Sequence, residues 1–333
     1  MDWELFYEQF DVWPLARPYA AQMFSEMEAR LVLALGKGAL TEGQVADRLG
    51  LEPSATEALV GHAFHRLIVN REGHGPGYAY RAADFYAFLD YFIKYDGWDD
   101  LPPEARQALD TRYRELFTDK VKESLALMQA GQPVPKNLPN DTIMLLPEVE
   151  AMVDAATEFA VERCDCRRGG QHCDRPVETC LRLDEGARAA LERGHGRTLS
   201  RAEAKQLLHY ADQKGLMHTA DGDWRNRGLY AICNCCACDC YPFGAARVLG
   251  SKGVYPRSRY LAEYAASLCT HCGACVRRCH FGAFYTDGAT VMVKDKARAA
   301  VAFDPQKCWG CGLCANACAA EAITMKPLAP FPP

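Results

Sequence analysis

Eight cysteines near the C-terminal end carry the most specific chemistry in this sequence. Cys269, Cys272, Cys275 and Cys279 recur as Cys308, Cys311, Cys314 and Cys318, each displaced by 39 positions, so one unit is written twice. Closely spaced thiolates on a tight loop reach three iron corners of one cube at little ordering cost, and the fourth corner must come from elsewhere. Such centres carry single electrons. The alternative that the residue types leave open is a pair of four-thiolate zinc knuckles.

The repeat extends beyond the ligands. Tyr260 to Tyr264 precedes the first run as Ala299 to Phe303 precedes the second, and both read as short apolar strands. Ala283-Phe284 follows the first run as Ala322-Ile323 follows the second. Gly273, Gly310 and Gly312 suit loops in which backbone approaches a cluster closely. From about Tyr260 to Lys326 the chain resembles the bacterial two-cluster [4Fe-4S] ferredoxin family, two pseudo-symmetric strand and helix halves around the cubes. The resemblance implies two [4Fe-4S] clusters with crossed fourth ligands: Cys269, Cys272, Cys275 and Cys318 for cluster I, and Cys308, Cys311, Cys314 and Cys279 for cluster II. The family usually places proline after the fourth cysteine of each run, where this chain has His280 and Ala319. That proline shapes the loop and is no ligand, so its absence leaves both clusters expected.

Nine further cysteines lie upstream. Cys164, Cys166, Cys173 and Cys180 sit in a Gly-, Arg- and Asp-rich loop after a stretch, Pro147 to Glu162, that reads as helical. Cys233, Cys235, Cys236, Cys238 and Cys240 crowd into one octapeptide. In an extended strand Cys236, Cys238 and Cys240 would point one way while Cys233 and Cys235 point the other. Nine thiols suffice for two four-thiolate sites with one left over, and their partition is open. The stretch resembles a cysteine-rich module that precedes ferredoxin repeats in electron-transfer proteins of anaerobic microbes, through Cys164, Cys166, Arg167, Cys173, Asp174, Pro176, Glu178, Cys180 and Cys233 to Cys236. The readings are one or more additional iron-sulfur clusters, structural zinc, or redox thiols. Arg167 and Arg168 either donate hydrogen bonds to cluster sulfurs or face solvent.

The elements that must position these residues are partly legible. Ser200-Arg201-Ala202-Glu203 is a capping box ahead of a helix with Leu207, Leu208 and Ala211 on one side, ending near Gly215. His209 and His218 flank it and read as surface or packing residues rather than ligands. Nearer the N-terminus, Thr41 to Gln44 caps a short helix, and Gly50 to Pro53 turns the chain. Ser54 to Glu57 caps a second helix bearing Leu59, Val60, Ala63, Phe64 and Leu67. Ile68 to Arg71 and Tyr78 to Arg81 then form a hairpin around Glu72 to Gly77. Helix, turn, helix and hairpin in this order resemble the winged helix, whose second helix often enters DNA. Between Ala39 and Phe85 four cations (Arg48, Arg66, Arg71, Arg81) face six anions (Glu42, Asp47, Glu52, Glu57, Glu72, Asp84), a net of −2. That balance disfavours phosphate binding, with only His62, His65 and Arg66 available on the second helix. Docking or homodimerisation is the expected use, and DNA binding the lesser alternative. Aromatic helices follow from Asp84 to Tyr95 and from Pro103 to Ala130.

A chain of 333 residues, 49% hydrophobic, with a net charge of −5, divides into two or three domains and is no general polyanion binder. Its first ten residues do not read as a secretory leader, and no apolar run approaches a membrane span. Seventeen cysteines then imply metal ligands in a reducing, cytoplasmic compartment. No nucleotide-binding glycine motif or Ser/His/Asp arrangement stands out. The expected fold class is α+β. It comprises a winged-helix-like helical domain (1–130), a proline-rich linker (131–147), a mainly helical and loop cysteine-rich module (148–258) and a dicluster ferredoxin-like domain (259–333). The expected function is electron transfer between a donor and a redox enzyme, as a component of an oxidoreductase system. The alternatives are a redox-responsive winged-helix regulator and a reductase whose middle module holds a cluster with an open iron site.

Overall fold

The computed structural model describes residues 1–73, 77–130, 132, 138 and 140–328. Pro133, Pro135 and Pro139 of the expected linker, and 74–76 of the expected hairpin turn, lie outside the described residues. The chain forms two compact units. The first comprises Met1–Glu115 with Arg168–Gly170 and Arg193–His195, and the second the rest from Leu116 onward. Helix and strand mix throughout, as an α+β class requires.

In the first unit, helix Glu26–Leu35 starts at a complete Ser25/Glu28 capping box and helix Glu42–Leu49 at a Thr41/Gln44 box. Gly50, at φ +67°, ends the latter in the left-handed conformation that glycine adopts without steric cost. Helix Pro53–His65 follows. It begins one residue before Ser54, with Pro53 in its first turn and Glu52 as its N-cap, so Ser54 does not cap it. Proline at the first helical position has no N–H to leave unpaired, and this overrides the expected serine cap. Leu67 lies beyond the helix at φ +58°. Strands Ala39–Thr41, Val69–Glu72 and Ala79–Ala82 form an antiparallel sheet with Ala79–Ala82 in the middle. Helix Phe85–Tyr95, capped by Asp84 through the Ala87 amide at 2.7 Å, buries Phe85, Phe88 and Phe92. Phe88 lies 4.4 Å from Phe24, centroid to centroid.

The second unit departs from the expected mainly helical and loop module. Its centre is a six-stranded antiparallel sheet in the order Thr142–Met144, Met217–Ala220, Ala231–Cys235, Glu178–Leu183, Phe159–Arg163, Arg197–Thr198. Two sequence expectations change as a result. Helix Leu146–Ala155 stops well before Glu162, and Phe159–Arg163 is a strand pairing with Glu178–Leu183. Part of the segment expected as linker, Thr142–Met144, is an edge strand. The physical reason is burial: Phe159, Val161, Leu181, Leu183 and Ile232 pack one face of the sheet against Val149, Met152, Leu208 and Ala204 of the helices Leu146–Ala155 and Arg201–Gln213. Each fully buried aliphatic or aromatic side chain stabilises the fold by about 1.5–3 kcal/mol. The Ser200/Glu203 capping box is complete, as the sequence implies.

Beyond the sheet, strands Tyr260–Tyr264 and Ile323–Pro327 pair antiparallel, and so do Phe284–Val293 and Lys296–Phe303. Short helices Ala274–Arg278 and Leu313–Asn316 follow Gly273 and Gly312, both in the left-handed conformation. Among the described residues, no helix is long and apolar enough to cross a membrane.

Candidate metal centres

The 39-residue repeat is visible in the backbone. His271 and Gly310, one repeat apart, have φ of +48° and +69°, and their amides donate to Cys269 Sγ at 3.3 Å and Cys308 Sγ at 3.4 Å. Gly282 and Glu321, also one repeat apart, have φ of +67° and +50°. These turns curl the chain around each run so that successive sulfurs face inward. At Gly310 the requirement is steric as well, since a Cβ there would meet the Tyr260 carbonyl oxygen at 2.1 Å. The Ala283 amide donates to Cys279 Sγ at 3.2 Å.

Two cavities collect the cysteines of both runs. One, of about 140 Å³, is lined by Cys269, Cys272, Cys275 and Cys318 with Tyr264, Val301 and Ile323. The other is lined by Cys308, Cys311, Cys314 and Cys279 with Phe281, Phe284, Trp309 and Leu313. Each therefore holds three cysteines of one run and the fourth of the other. Burial raises the Cys275 thiol to about 11 and the Cys311 thiol to about 12. The exposed Cys272 is lowered, chiefly by the Ala274 amide. Thiols held this close resist ionising together unless a cation compensates them, and a coordinated thiol is deprotonated outright. The donor set fits an iron-sulfur group.

A family model described as a 4Fe-4S dicluster domain matches residues 268–322. The chain therefore carries a ferredoxin-like iron-sulfur domain at its C-terminal end, which supports an electron-transfer role in general. No curated protein and no solved structure matches the chain.

Upstream of the dicluster domain, the structure sorts the nine other cysteines into two groups. Cys164, Cys166, Cys180, Cys233, Cys235 and Cys240 are linked by thiol contacts: Cys164 with Cys166, Cys166 with Cys240, Cys240 with Cys235, Cys235 with Cys233, and Cys233 with Cys180. Bonds to a neighbouring thiol raise Cys164 and Cys180, and burial raises Cys166 and Cys240. Cys235 moves the other way, to about 5, because the Cys233 and Cys240 thiols and the Thr219 hydroxyl surround it. The Asn140 side-chain amide donates to Cys233 Sγ at 3.0 Å.

The second group is Cys173, Cys236, Cys238 and Asp239, whose donor atoms all lie within 4.8 Å of one another. Asp239 was not legible as a ligand candidate, because an acidic residue inside a cysteine run reads first as a solvated charge. The expected strand alternation fails here: the strand ends at Cys235, and the turn after it sends Cys236 and Cys238 to one group and Cys240 to the other.

Arg167 lies close to both groups. It is 2% exposed and donates to the carbonyls of Pro176 at 2.9 Å and Asn234 at 3.2 Å and to Thr179 Oγ1 at 2.6 Å. Burial opposes its charge, yet Cys164, Cys236 and Cys235 outweigh that and raise it further. Arg168 does not share this role, for its guanidinium pairs with Asp99 at 2.8 and 2.5 Å. His209 pairs with Glu150 at 2.9 Å on the surface, and His218 is buried with Nδ1 2.7 Å from Asn234 Oδ1.

The six-thiol group and the dicluster domain share one apolar core. Cys233, Cys235, Cys240 and Phe243 pack with Phe281, Trp309, Leu313 and Cys311. Phe243 lies 5.4 Å from Trp309, which stacks on Phe281. Arg278 and Asn316 of the dicluster domain both bind the Asp212 carboxylate, at 2.8 Å each, and His280 Nε2 lies 2.6 Å from the Gly215 carbonyl.

Proposed function

We propose that the chain is an iron-sulfur electron-transfer subunit in which the nine-cysteine module and the dicluster domain form one relay between a redox donor and a redox enzyme. The observation that carries this reading is the common core of Cys233, Cys235 and Cys240 with Phe243, Trp309, Phe281 and Cys311. Cys269, Cys272, Cys275 and Cys318 hold one [4Fe-4S] cluster, and Cys308, Cys311, Cys314 and Cys279 the other, a reading supported by the two four-cysteine cavities. Four of the six thiols at Cys164, Cys166, Cys180, Cys233, Cys235 and Cys240 hold a further cluster. When bound, these clusters supply one-electron chemistry at potentials set by burial, charge and hydrogen bonds to sulfur.

The side chains and backbone of the chain do the rest. The amides of His271, Gly310 and Ala283 orient sulfurs and favour their charged form. Arg167 offsets thiolate charge within the module. Val301, Ile323, Phe284 and Leu313 exclude water from the two cavities, and Asp212 fixes the dicluster domain against the helix Arg201–Gln213 through Arg278 and Asn316.

The first unit serves, in this reading, as a winged-helix-like module for docking or dimerisation rather than DNA binding. Two of its four cations between Ala39 and Phe85 are already engaged: Arg66 with Glu28 and Asp96, and Arg81 with Glu72. Phosphate neutralisation would have to break those pairs.

The test is anaerobic quantification of iron and acid-labile sulfide in the full-length chain. More than eight irons per chain with matching sulfide are expected. Eight or fewer, unchanged by a combined Cys166→Ser and Cys235→Ser substitution, would remove the module from the relay.

A further inference from the structure

Cys173, Cys236, Cys238 and Asp239 have the dimensions of a site for one ion. With Zn–S of about 2.3 Å and Zn–O of about 2.0–2.2 Å, a tetrahedral centre spaces sulfur from oxygen by about 3.6 Å and sulfur from sulfur by about 3.8 Å. Asp239 Oδ2 lies 3.4 Å from Cys173 Sγ and 3.6 Å from Cys236 Sγ, and all four donors fall within 4.8 Å of one another.

We propose that Cys173, Cys236, Cys238 and Asp239 bind a single structural zinc ion, separate from the electron-carrying centres. The carboxylate is built for one-point ligation. Its Oδ1 is occupied by the backbone amide of His172 at 3.2 Å and by His172 Nδ1 at 2.7 Å, which leaves Oδ2 turned toward the sulfurs. Such an outer partner is what fixes the orientation of a metal ligand. Asp239 and Cys236 are both fully buried, and the Asp239 amide donates back to Cys236 Sγ at 3.4 Å. Four closed protein donors leave no open position, which is the pattern of a structural rather than a catalytic zinc.

The function of the ion follows from what the four residues join. Cys173 belongs to the loop after helix Asp165–Gly170, whereas Cys236, Cys238 and Asp239 belong to the turn after strand Ala231–Cys235. Ala211 and Leu216 pack against Cys236, with Cys173 and Cys238 alongside. Zinc at this point ties the loop to the turn that also presents Cys240 to the six-thiol group. Because zinc has no redox chemistry, it holds that turn unchanged while electrons pass. The zinc site stands on its four donors alone, while its use in holding the turn rests on the relay.

The test is zinc K-edge X-ray absorption on the full-length chain purified anaerobically, with zinc, iron and sulfide measured on the same sample. One zinc per chain is expected, with three sulfurs at about 2.3 Å and one oxygen at about 2.0–2.2 Å. Asp239→Cys should retain the zinc and convert the shell to four sulfurs, and a combined Cys173→Ser and Cys238→Ser substitution should lose zinc and leave iron and sulfide unchanged. Absence of zinc from the unmodified chain, a shell without oxygen, or loss of iron and sulfide in the double variant would overturn the assignment. The measurement on the unmodified chain decides the matter even if a variant fails to fold. Iron per chain reports separately on the relay.

Discussion

Trp309 stacks on Phe281, with ring centroids 4.7 Å apart and planes 17° from parallel. Trp309 follows Cys308 in one run and Phe281 lies two residues after Cys279, so the stack joins two ligands assigned to the same cluster. Phe243, 5.4 Å from Trp309 and 5.8 Å from Phe281, brings in the helix that follows Cys240. Replacing Trp309 by Ala removes the ring at the centre of this core. A loss of about 3–5 kcal/mol is expected, as for other buried aromatics, read as a lowered thermal transition of the holoprotein. Trp309→Phe should cost much less.

Two glycines of the dicluster domain separate steric need from backbone need. Gly310 and Gly282 both have positive φ, but only at Gly310 would a Cβ collide with backbone, the Tyr260 carbonyl. Gly282→Ala should cost about 1–2 kcal/mol for the left-handed conformation alone and keep its iron. Gly310→Ala should also push Tyr260 and its strand aside and lower iron per chain, measured on anaerobically purified protein.

Arg66 is the keystone of the first unit's charge network. Glu28 is 1% exposed and bonds Arg66 Nη1 at 2.5 Å, while Asp96 and the Met23 carbonyl take the other donors. Arg66→Met leaves Glu28 buried without its guanidinium and should cost about 3–5 kcal/mol. Hydrogen exchange should show the loss in helices Glu26–Leu35 and Pro53–His65.

His218 gives the second unit a pH dependence. Burial holds its pKa below the ordinary histidine value, so the unfolded chain takes up a proton before the folded one does. Its contribution to stability is flat above about pH 6.5 and is lost as the pH falls from there toward the depressed folded value. Chemical denaturation of the holoprotein between pH 7.5 and pH 5.5, read at about half-unit steps, should show a decline that His218→Gln reduces.

The sequence exposed the ligands better than the frame that holds them. Cysteine spacing and the 39-residue repeat marked the dicluster segment, and the capping boxes at Thr41 and Ser200 marked two helix starts, because those signals are local. The sheet of the second unit was not legible. Phe159–Arg163 follows helix Leu146–Ala155 without an intervening Gly or Pro and contains Glu and Arg, which helices tolerate. Only pairing with Glu178–Leu183 on one side and Arg197–Thr198 on the other makes it a strand. Likewise, the six-and-three division of the upstream cysteines depends on a turn at Cys236 that sends neighbouring thiols to opposite sides, and Asp239 is oriented by His172 and Cys173, 67 and 66 residues away.

An anaerobic reductive titration of the full-length chain followed by electron paramagnetic resonance decides whether the second unit forms one relay. Signals from the dicluster domain are expected together with a further cluster signal that combined substitution of Cys166 and Cys235 by Ser abolishes. Magnetic broadening of the dicluster signals is expected when that further centre is reduced, because Cys235 and Cys311 line one core. Two cluster signals unaffected by the double substitution, or a third signal with no influence on the other two, would rule the relay out.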